Sequence, residues 1–98
     1  MVTEKTDLEY IKIYYPPHLY RSPNATDYHE IGSDRWEVRR VTVYPDGTRE
    51  KLPRQGDPES WRELADAQFP RVEEFVPEGR YTVSSISAEE FAAEWDSD

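Results

Sequence analysis

The two histidines are the side chains of this sequence best suited to acid–base or metal chemistry at neutral pH. They are His18 and His29, eleven positions apart. A zinc site or a catalytic pair needs imidazoles at a short spacing, such as two on one helical turn. No such spacing occurs, so both are interpreted as surface or strand residues, and neither a metal site nor a cofactor is expected.

Nucleophilic catalysis and phosphate binding also lack a motif. The chain has no cysteine, and it contains no G-x-S-x-G sequence around a serine. Its four glycines are spread one to a turn instead of clustering before a helix, as a phosphate-binding loop requires. The absence of cysteine also excludes a disulfide framework and favours a reducing compartment.

The carboxylates are the third group that could carry function, and they are distributed unevenly. Residues 1–56 hold nine acids and nine Lys or Arg, whereas residues 57–98 hold twelve acids and three Arg, which gives the net charge of −9. Such a field attracts basic surfaces and repels nucleic acids and anionic lipids. We interpret the acidic half as a docking face for a basic protein, with solubility as the alternative explanation. Its expected residues are Glu73, Glu74, Tyr81, Glu89, Glu94, Trp95 and Asp96, with Tyr81 or Trp95 as the aromatic anchor.

Two alternatives stay open. One is a small hydrolase or isomerase that uses His29 or a carboxylate in a cleft lined by Tyr14, Tyr15 and Tyr28. The other is a single-stranded nucleic-acid binder in which aromatic rings stack on bases beside an arginine cluster. That cluster would be Arg35, Arg39 and Arg40, with Trp36 and Tyr44. The intervening Glu37 and the isoelectric point near 4.6 count against it and favour ion pairing on a sheet.

Alternating apolar residues predict the strands that position these groups. The strands are expected over 8–15, 28–31, 35–44 and 48–52, with a further short strand over 81–85. The sequence Pro45-Asp46-Gly47 predicts a hairpin turn, because Gly47 can take a positive φ. Trp36 and Val41 have opposite parity in the strand 35–44, so a β-bulge is expected near Arg39 and Arg40.

Two helices are expected in the acidic half. Asp57 and Pro58 are typical of a helix start, and Trp61 and Leu64 would form its buried stripe before Pro70 ends it. The second helix begins near residue 88. There Ser87 and Glu90 form a capping box, and Ile86 and Phe91 form the hydrophobic staple around it.

Four stretches carry a family resemblance: YIKI at 10–13, the segment 27–41 with its run DRWEVRRV at 34–41, the turn at 44–47, and ISAEEF at 86–91. Through them the chain resembles a family of small acidic bacterial proteins classed as a domain of unknown function. That family has no established activity, so no catalytic residue is carried over. The resemblance implies a bacterial cytosolic protein.

Together these features predict one α+β domain over residues 1–98, with 1–7 and 96–98 frayed. The expected fold is an antiparallel sheet of three to five strands with two short helices packed on one face. The expected core residues are Ile11, Ile13, Trp36, Val38, Val41, Val43, Trp61, Leu64, Phe91 and Trp95. Since neither a signal peptide nor an apolar run of about 18 residues is evident, we expect a cytoplasmic protein that does not contact membranes. The sequence leaves its oligomeric state open.

Overall fold

The computed structural model of the chain describes residues 8–15, 25–71, 74 and 82–97. The elements are β1 (Glu9–Tyr14), β2 (Thr26–Ile31), β3 (Glu37–Val43), β4 (Arg49–Leu52), a 3-10 helix (Pro58–Glu63), β5 (Thr82–Ile86) and α1 (Ala88–Trp95). Within the described residues, five antiparallel strands form one sheet in the order β4-β3-β2-β1-β5. The predicted α+β class and antiparallel sheet are therefore confirmed.

One face of the sheet is covered by α1 and is called the α1 face. Phe91 of the helix is buried against Tyr28 and Val41 of the central strands. Tyr10 of β1 shares this face, and its ring lies 5.3 Å from that of Phe91. Because side chains alternate along a strand, Ile11 and its alternate neighbours point the other way.

The opposite face is covered by residues 63–70, the segment that follows the 3-10 helix. Ile11, Ile13 and Ile31 form a buried cluster there, and Phe69 packs against it. The 3-10 helix itself lies beside β4. The expectation of two helices on one face is therefore only partly met, because the second helix is a 3-10 turn that leads into an irregular covering segment.

The β3–β4 hairpin turn and the start of α1 lie where the sequence predicts them. At the β3–β4 hairpin, Gly47 has φ +91° and its N–H donates to the Tyr44 carbonyl at 2.9 Å. At the start of α1, the Ser87 hydroxyl oxygen accepts a hydrogen bond from the Glu90 N–H at 3.0 Å. Both features confirm the predictions, because each depends on a few consecutive residues rather than on tertiary context.

The bulge in β3 is also present, but it has a different consequence from the one expected. Consecutive residues Glu30 and Ile31 of β2 pair with Arg39 and Glu37, so Val38 is the extra residue. Trp36 and Val38 are nevertheless 44% and 43% exposed, which makes their assignment to the core wrong. Glu37 and Arg40 are three residues apart, so regular alternation would place them on opposite faces of the sheet. The bulge places them on the same face.

The 3-10 helix shows why the predicted buried stripe at 61–65 fails. Such a helix has about three residues per turn, so an apolar pattern at α-helical spacing does not stay on one side. Ser60 is its buried residue, with its hydroxyl oxygen 2.5 Å from the Arg54 nitrogen, while Trp61 is 56% exposed. Trp61 was therefore wrongly assigned to the core, and Leu64 is only half-buried.

These burials predict unequal effects of two aromatic truncations. Phe91→Ala should lower the free energy of unfolding by about 3–5 kcal/mol, because it leaves a cavity between α1 and the sheet. Trp61→Ala should lower it by less than about 1 kcal/mol, because its ring is largely in solvent. Urea unfolding followed by circular dichroism measures both values. Equal losses would contradict the assignment of the core.

Candidate functional site

Glu37 is the most heavily coordinated side chain among the described residues. Its carboxylate is fully buried on the opposite face and lies 2.5 Å from His29 Nδ1 and 3.0 Å from Arg40 Nε. It also accepts the N–H of Ala65 at 2.8 Å. Burial by itself raises the pKa of Glu37, but the His29 hydrogen bond and the charges of His29 and Arg40 outweigh it and leave the pKa below its usual value. The ionised group therefore ties β2, β3 and the covering segment together.

His29 is the residue on which the enzyme alternative depends, and it is 4% exposed. Phe69 covers its ring at a centroid distance of 4.7 Å. Since Nδ1 faces Glu37, the other nitrogen, Nε2, is the one left for a substrate. That atom has no hydrogen-bond partner among the described residues and lies 3.8 Å from a carboxylate oxygen of Asp27. A substrate could reach it only after Phe69 moves.

The cleft expected around this histidine is also divided between the two sheet faces. Tyr14 and Tyr28 point to the α1 face, whereas His29 and Tyr15 point to the opposite face. A shallow groove of about 320 Å³ does include Tyr14, but its other lining residues are polar side chains of β1, β2 and β5 on the α1 face. Geometry therefore separates Tyr14 and Tyr28 from the imidazole and leaves Tyr15 on the same face as His29.

Glu30 and Arg39 form a second buried ion pair, on the α1 face. Arg39 binds both carboxylate oxygens of Glu30, at 2.6 and 2.9 Å, and the Tyr10 hydroxyl donates to the same group at 2.9 Å. Burial raises the pKa of Glu30, but these hydrogen bonds lower the pKa by more than burial raises it, so the net shift is downward. The guanidinium also lies over the rings of Phe91 and Trp95, at 5.1 and 4.6 Å. Arg39 is thus enclosed by α1.

The remaining sheet arginines are used in the same way. Arg35 pairs with Glu9 and donates to the carbonyls of Phe69 and Pro70. Arg49 pairs with Glu94 of α1 at 2.7 Å. These pairings disfavour the nucleic-acid alternative, because Arg35, Arg39 and Arg40 would have to leave carboxylates to bind phosphates.

The predicted docking residues fall into three groups. Glu73 and Tyr81 lie outside the described residues. Glu94 and Trp95 are half-buried and are engaged by Arg49 and Arg39, respectively. Glu74, Glu89 and Asp96 are exposed, and Glu74 accepts the N–H of Arg71 at 2.8 Å.

The structure brings Glu89 and Asp96 together on one flank of α1. They are seven residues apart, which is two helical turns. Glu94 lies on the other flank, because it reaches Arg49 at the end of the sheet where β3 meets the hairpin. Neither Glu89 nor Asp96 has an ion-pair partner within the described part of the chain. Asp96 ends the helix, where the macrodipole disfavours a negative charge.

Three exposed apolar side chains lie at the end of the sheet where β1 and β3 begin. They are Leu8, 40% exposed, with Trp36 and Val38. The Trp36 carbonyl accepts the Gly32 N–H at 2.9 Å, and a Val38 methyl carbon lies 3.7 Å from where a Cβ on Gly32 would stand. Leu8 extends β1 beside this turn, with the same parity as Tyr10. We name Leu8, Trp36, Val38, Glu89 and Asp96 the acidic-apolar surface.

Sequence reasoning missed the apolar half of this surface. The alternation of strand 35–44 assigned Trp36 and Val38 to the core, although the phase slip in that alternation was visible. A bulge can expose the residues before it just as well as bury them, so the slip was the available signal.

Within 8–15, 25–71, 74 and 82–97, no group of three or more histidine or acidic side chains could hold a metal ion. In that same part of the chain, no helix has the length and apolar character to cross a membrane.

The fold and the surface define a small α+β domain whose sheet arginines form internal ion pairs and whose Glu89 and Asp96 have no ion-pair partner among the described residues. The family model described as Domain of unknown function (DUF6881) matches residues 9–98. The chain therefore belongs to that family. No curated protein matches it, and no solved structure does either.

The coordination of Glu37 makes a prediction about stability and pH. Glu37→Gln should lower the free energy of unfolding by about 3–5 kcal/mol at pH 7, because it removes the buried carboxylate that Arg40 and His29 bind. Since the folded-state pKa of Glu37 is lowered, its stabilisation is complete above the unfolded value of about 4.3 and is lost as the pH falls through the folded-state pKa. The difference between wild type and variant should therefore shrink in acid.

Urea unfolding of both proteins measures this difference at neutral pH and near pH 3, which is below the usual glutamate pKa of about 4.3. Glu59→Gln is the matched control. Its carboxylate forms an exposed pair with Arg62, so the substitution should change stability little at either pH. A gap for Glu37→Gln that stays constant with pH would contradict the role assigned to the charge.

Proposed function

We propose that this chain is a small, cytoplasmic, non-enzymatic binding protein of bacterial origin that inhibits a basic protein, as an immunity partner does with a toxin or nuclease. Its carboxylates would occupy the positions that substrate phosphates take on the target. The observation that carries the proposal is the contrast between sheet arginines held in internal ion pairs and the unpaired Glu89 and Asp96 of the acidic-apolar surface.

The electrostatic support comes from where the unpaired charge lies. Exposed carboxylates without a partner set up a field that steers a cationic protein toward them and raises the association rate. Asp96 supports this reading because a negative charge at a helix C-terminus costs about 0.3–1 kcal/mol of stability. The hydrogen bond to Glu30 raises the pKa of Arg39, and the nearby charge of Asp96 adds a smaller contribution in the same direction.

The apolar support comes from Trp36. A tryptophan at the centre of an interface is often among the residues that contribute most to affinity. Trp36, rather than the half-buried Trp95, is therefore the aromatic anchor that we now assign. Val38 and Leu8 beside it would exclude water from the contact.

A matched pair of charge reversals tests the electrostatic part of this function. The double variant Glu89→Lys with Asp96→Lys should weaken binding to the basic partner by about a hundred-fold or more, because attraction becomes repulsion. The control double variant Glu59→Lys with Asp66→Lys changes the net charge equally on exposed residues outside α1. It should weaken binding much less.

The measurement is isothermal titration calorimetry at low and high salt. The partner is first captured on the immobilised chain from the organism that encodes it, then identified and purified. Affinity for the wild-type chain should fall as salt is raised. Binding that ignores salt, equal losses in the two double variants, or failure to recover a basic protein would overturn the proposed function.

Truncating the anchor gives a second, independent prediction. Trp36→Ala should lower affinity for the same partner by at least about thirty-fold, equivalent to about 2 kcal/mol, while leaving the urea midpoint nearly unchanged. Trp61→Ala removes another exposed tryptophan side chain, at the 3-10 helix, and should leave affinity unchanged. Equal affinities of the two variants would remove Trp36 from the interface.

A further inference from the structure

The two edges of the sheet are protected very differently. In the part of the sheet that the described residues form, β4 and β5 are the edge strands. β4 has the sequence REKL and is followed by Pro53, so charged side chains and a residue without an N–H discourage another strand from pairing there. β5 has the sequence TVSSI and contains neither a charge nor a proline.

An edge of this kind presents unpaired backbone groups to solvent. β5 pairs with β1 from Thr82 to Ile86, which leaves its outer N–H and C=O groups without a strand partner among the described residues. Extended segments of other proteins bind such edges by adding a strand, with the main chain supplying affinity and alternate side chains supplying specificity.

Charge indicates which strand the edge would accept. Glu89 and Glu90 lie in the first turn of α1, three and four residues after β5 ends at Ile86, and both are exposed. A second copy of the chain would bring a net charge of −9 against another −9, whereas a basic segment would be attracted. Lys12 of β1 pairs with Ser84 near the middle of the edge, and its positive charge disfavours a basic side chain there. Basic residues of the added segment are therefore favoured at the Ile86 end, and neutral residues are favoured elsewhere.

We infer that the basic partner inserts an extended segment as a sixth strand along the outer edge of β5, with its lysines or arginines at the Ile86 end beside Glu89 and Glu90. This inference rests on the proposed function and adds the mode of binding. Antiparallel pairing, as in the rest of the sheet, places the N-terminus of the segment at Ile86. Its neutral side chains would then lie beside Ser84 and Thr82.

A synthetic peptide tests the inference directly. The probe has about eight residues, a usual strand length, with three lysines at its N-terminus followed by alternating valine and threonine. The control peptide has the same charge and length but carries prolines in place of valines, so it cannot form ladder hydrogen bonds. Nuclear magnetic resonance follows the amides of residues 82–86 in the full chain as each peptide is added.

The expected result is that alternate amides of β5, those pointing away from β1, exchange at least about ten-fold more slowly with the probe and are unchanged with the control. The Glu89→Lys with Asp96→Lys variant should weaken this binding but keep the same protected amides. A further test replaces the N–H of Ser84 or, in a second variant, of Ser85 by an N-methyl group, through ligation of a synthetic C-terminal segment. One of these N–H groups points toward β1 and the other points outward, so the outward one is identified as the position where methylation leaves stability unchanged. Methylation at that outward position should abolish the protection by the probe.

Three outcomes would overturn the inference. Equal binding of both peptides, with changes confined to α1, would show electrostatic contact without an added strand and would leave the proposed function intact. No binding of the probe would show that the edge does not accept a basic strand, and the purified partner would then decide the proposed function separately. Protection of β5 that grows with protein concentration and without peptide would assign the edge to a second copy of the chain.

Discussion

One extra residue in a strand determines where the charges of this protein can go. Because Val38 is skipped in the pairing of β2 with β3, Glu37 and Arg40 share a face and can bind each other beside His29. Without the bulge, one of these charged groups would point toward α1 and would need a separate partner. The segment that covers the sheet depends on the same cluster, since the Ala65 N–H and the Glu63 carbonyl bind to its two members, Glu37 and Arg40.

The two buried ion pairs divide the electrostatics of the molecule into an inner and an outer part. The inner part consists of Glu37 with Arg40 below the sheet and of Glu30 with Arg39 under α1, in which both carboxylates are buried and both guanidiniums are partly exposed. Buried pairs are screened little by salt, whereas exposed carboxylates are screened strongly. Ionic strength should therefore act on recognition by the outer charges while hardly changing the folded state.

The sequence was sufficient wherever a structure depends on neighbouring residues. The hairpin around Gly47 and the cap at Ser87 were predicted correctly for this reason, and so were the strands whose alternation is regular. The sequence was insufficient where tertiary contacts decide. Nothing local indicates that Phe69 covers His29, and the phase slip in strand 35–44 does not by itself decide whether Trp36 is buried or exposed. A covering segment without regular structure also has no period to detect. The charged cluster around Glu37 was anticipated only as ion pairing on the sheet.

Arg35 has the left-handed backbone conformation, φ +72°, which glycine adopts with least strain. The position instead keeps a long side chain whose guanidinium binds Glu9 together with the carbonyls of Phe69 and Pro70. Glycine would relax the turn but would release β1 from the covering segment. The chain therefore combines a left-handed backbone at Arg35 with a side-chain link between β1 and the covering segment, and any shorter side chain at this position would lose that link.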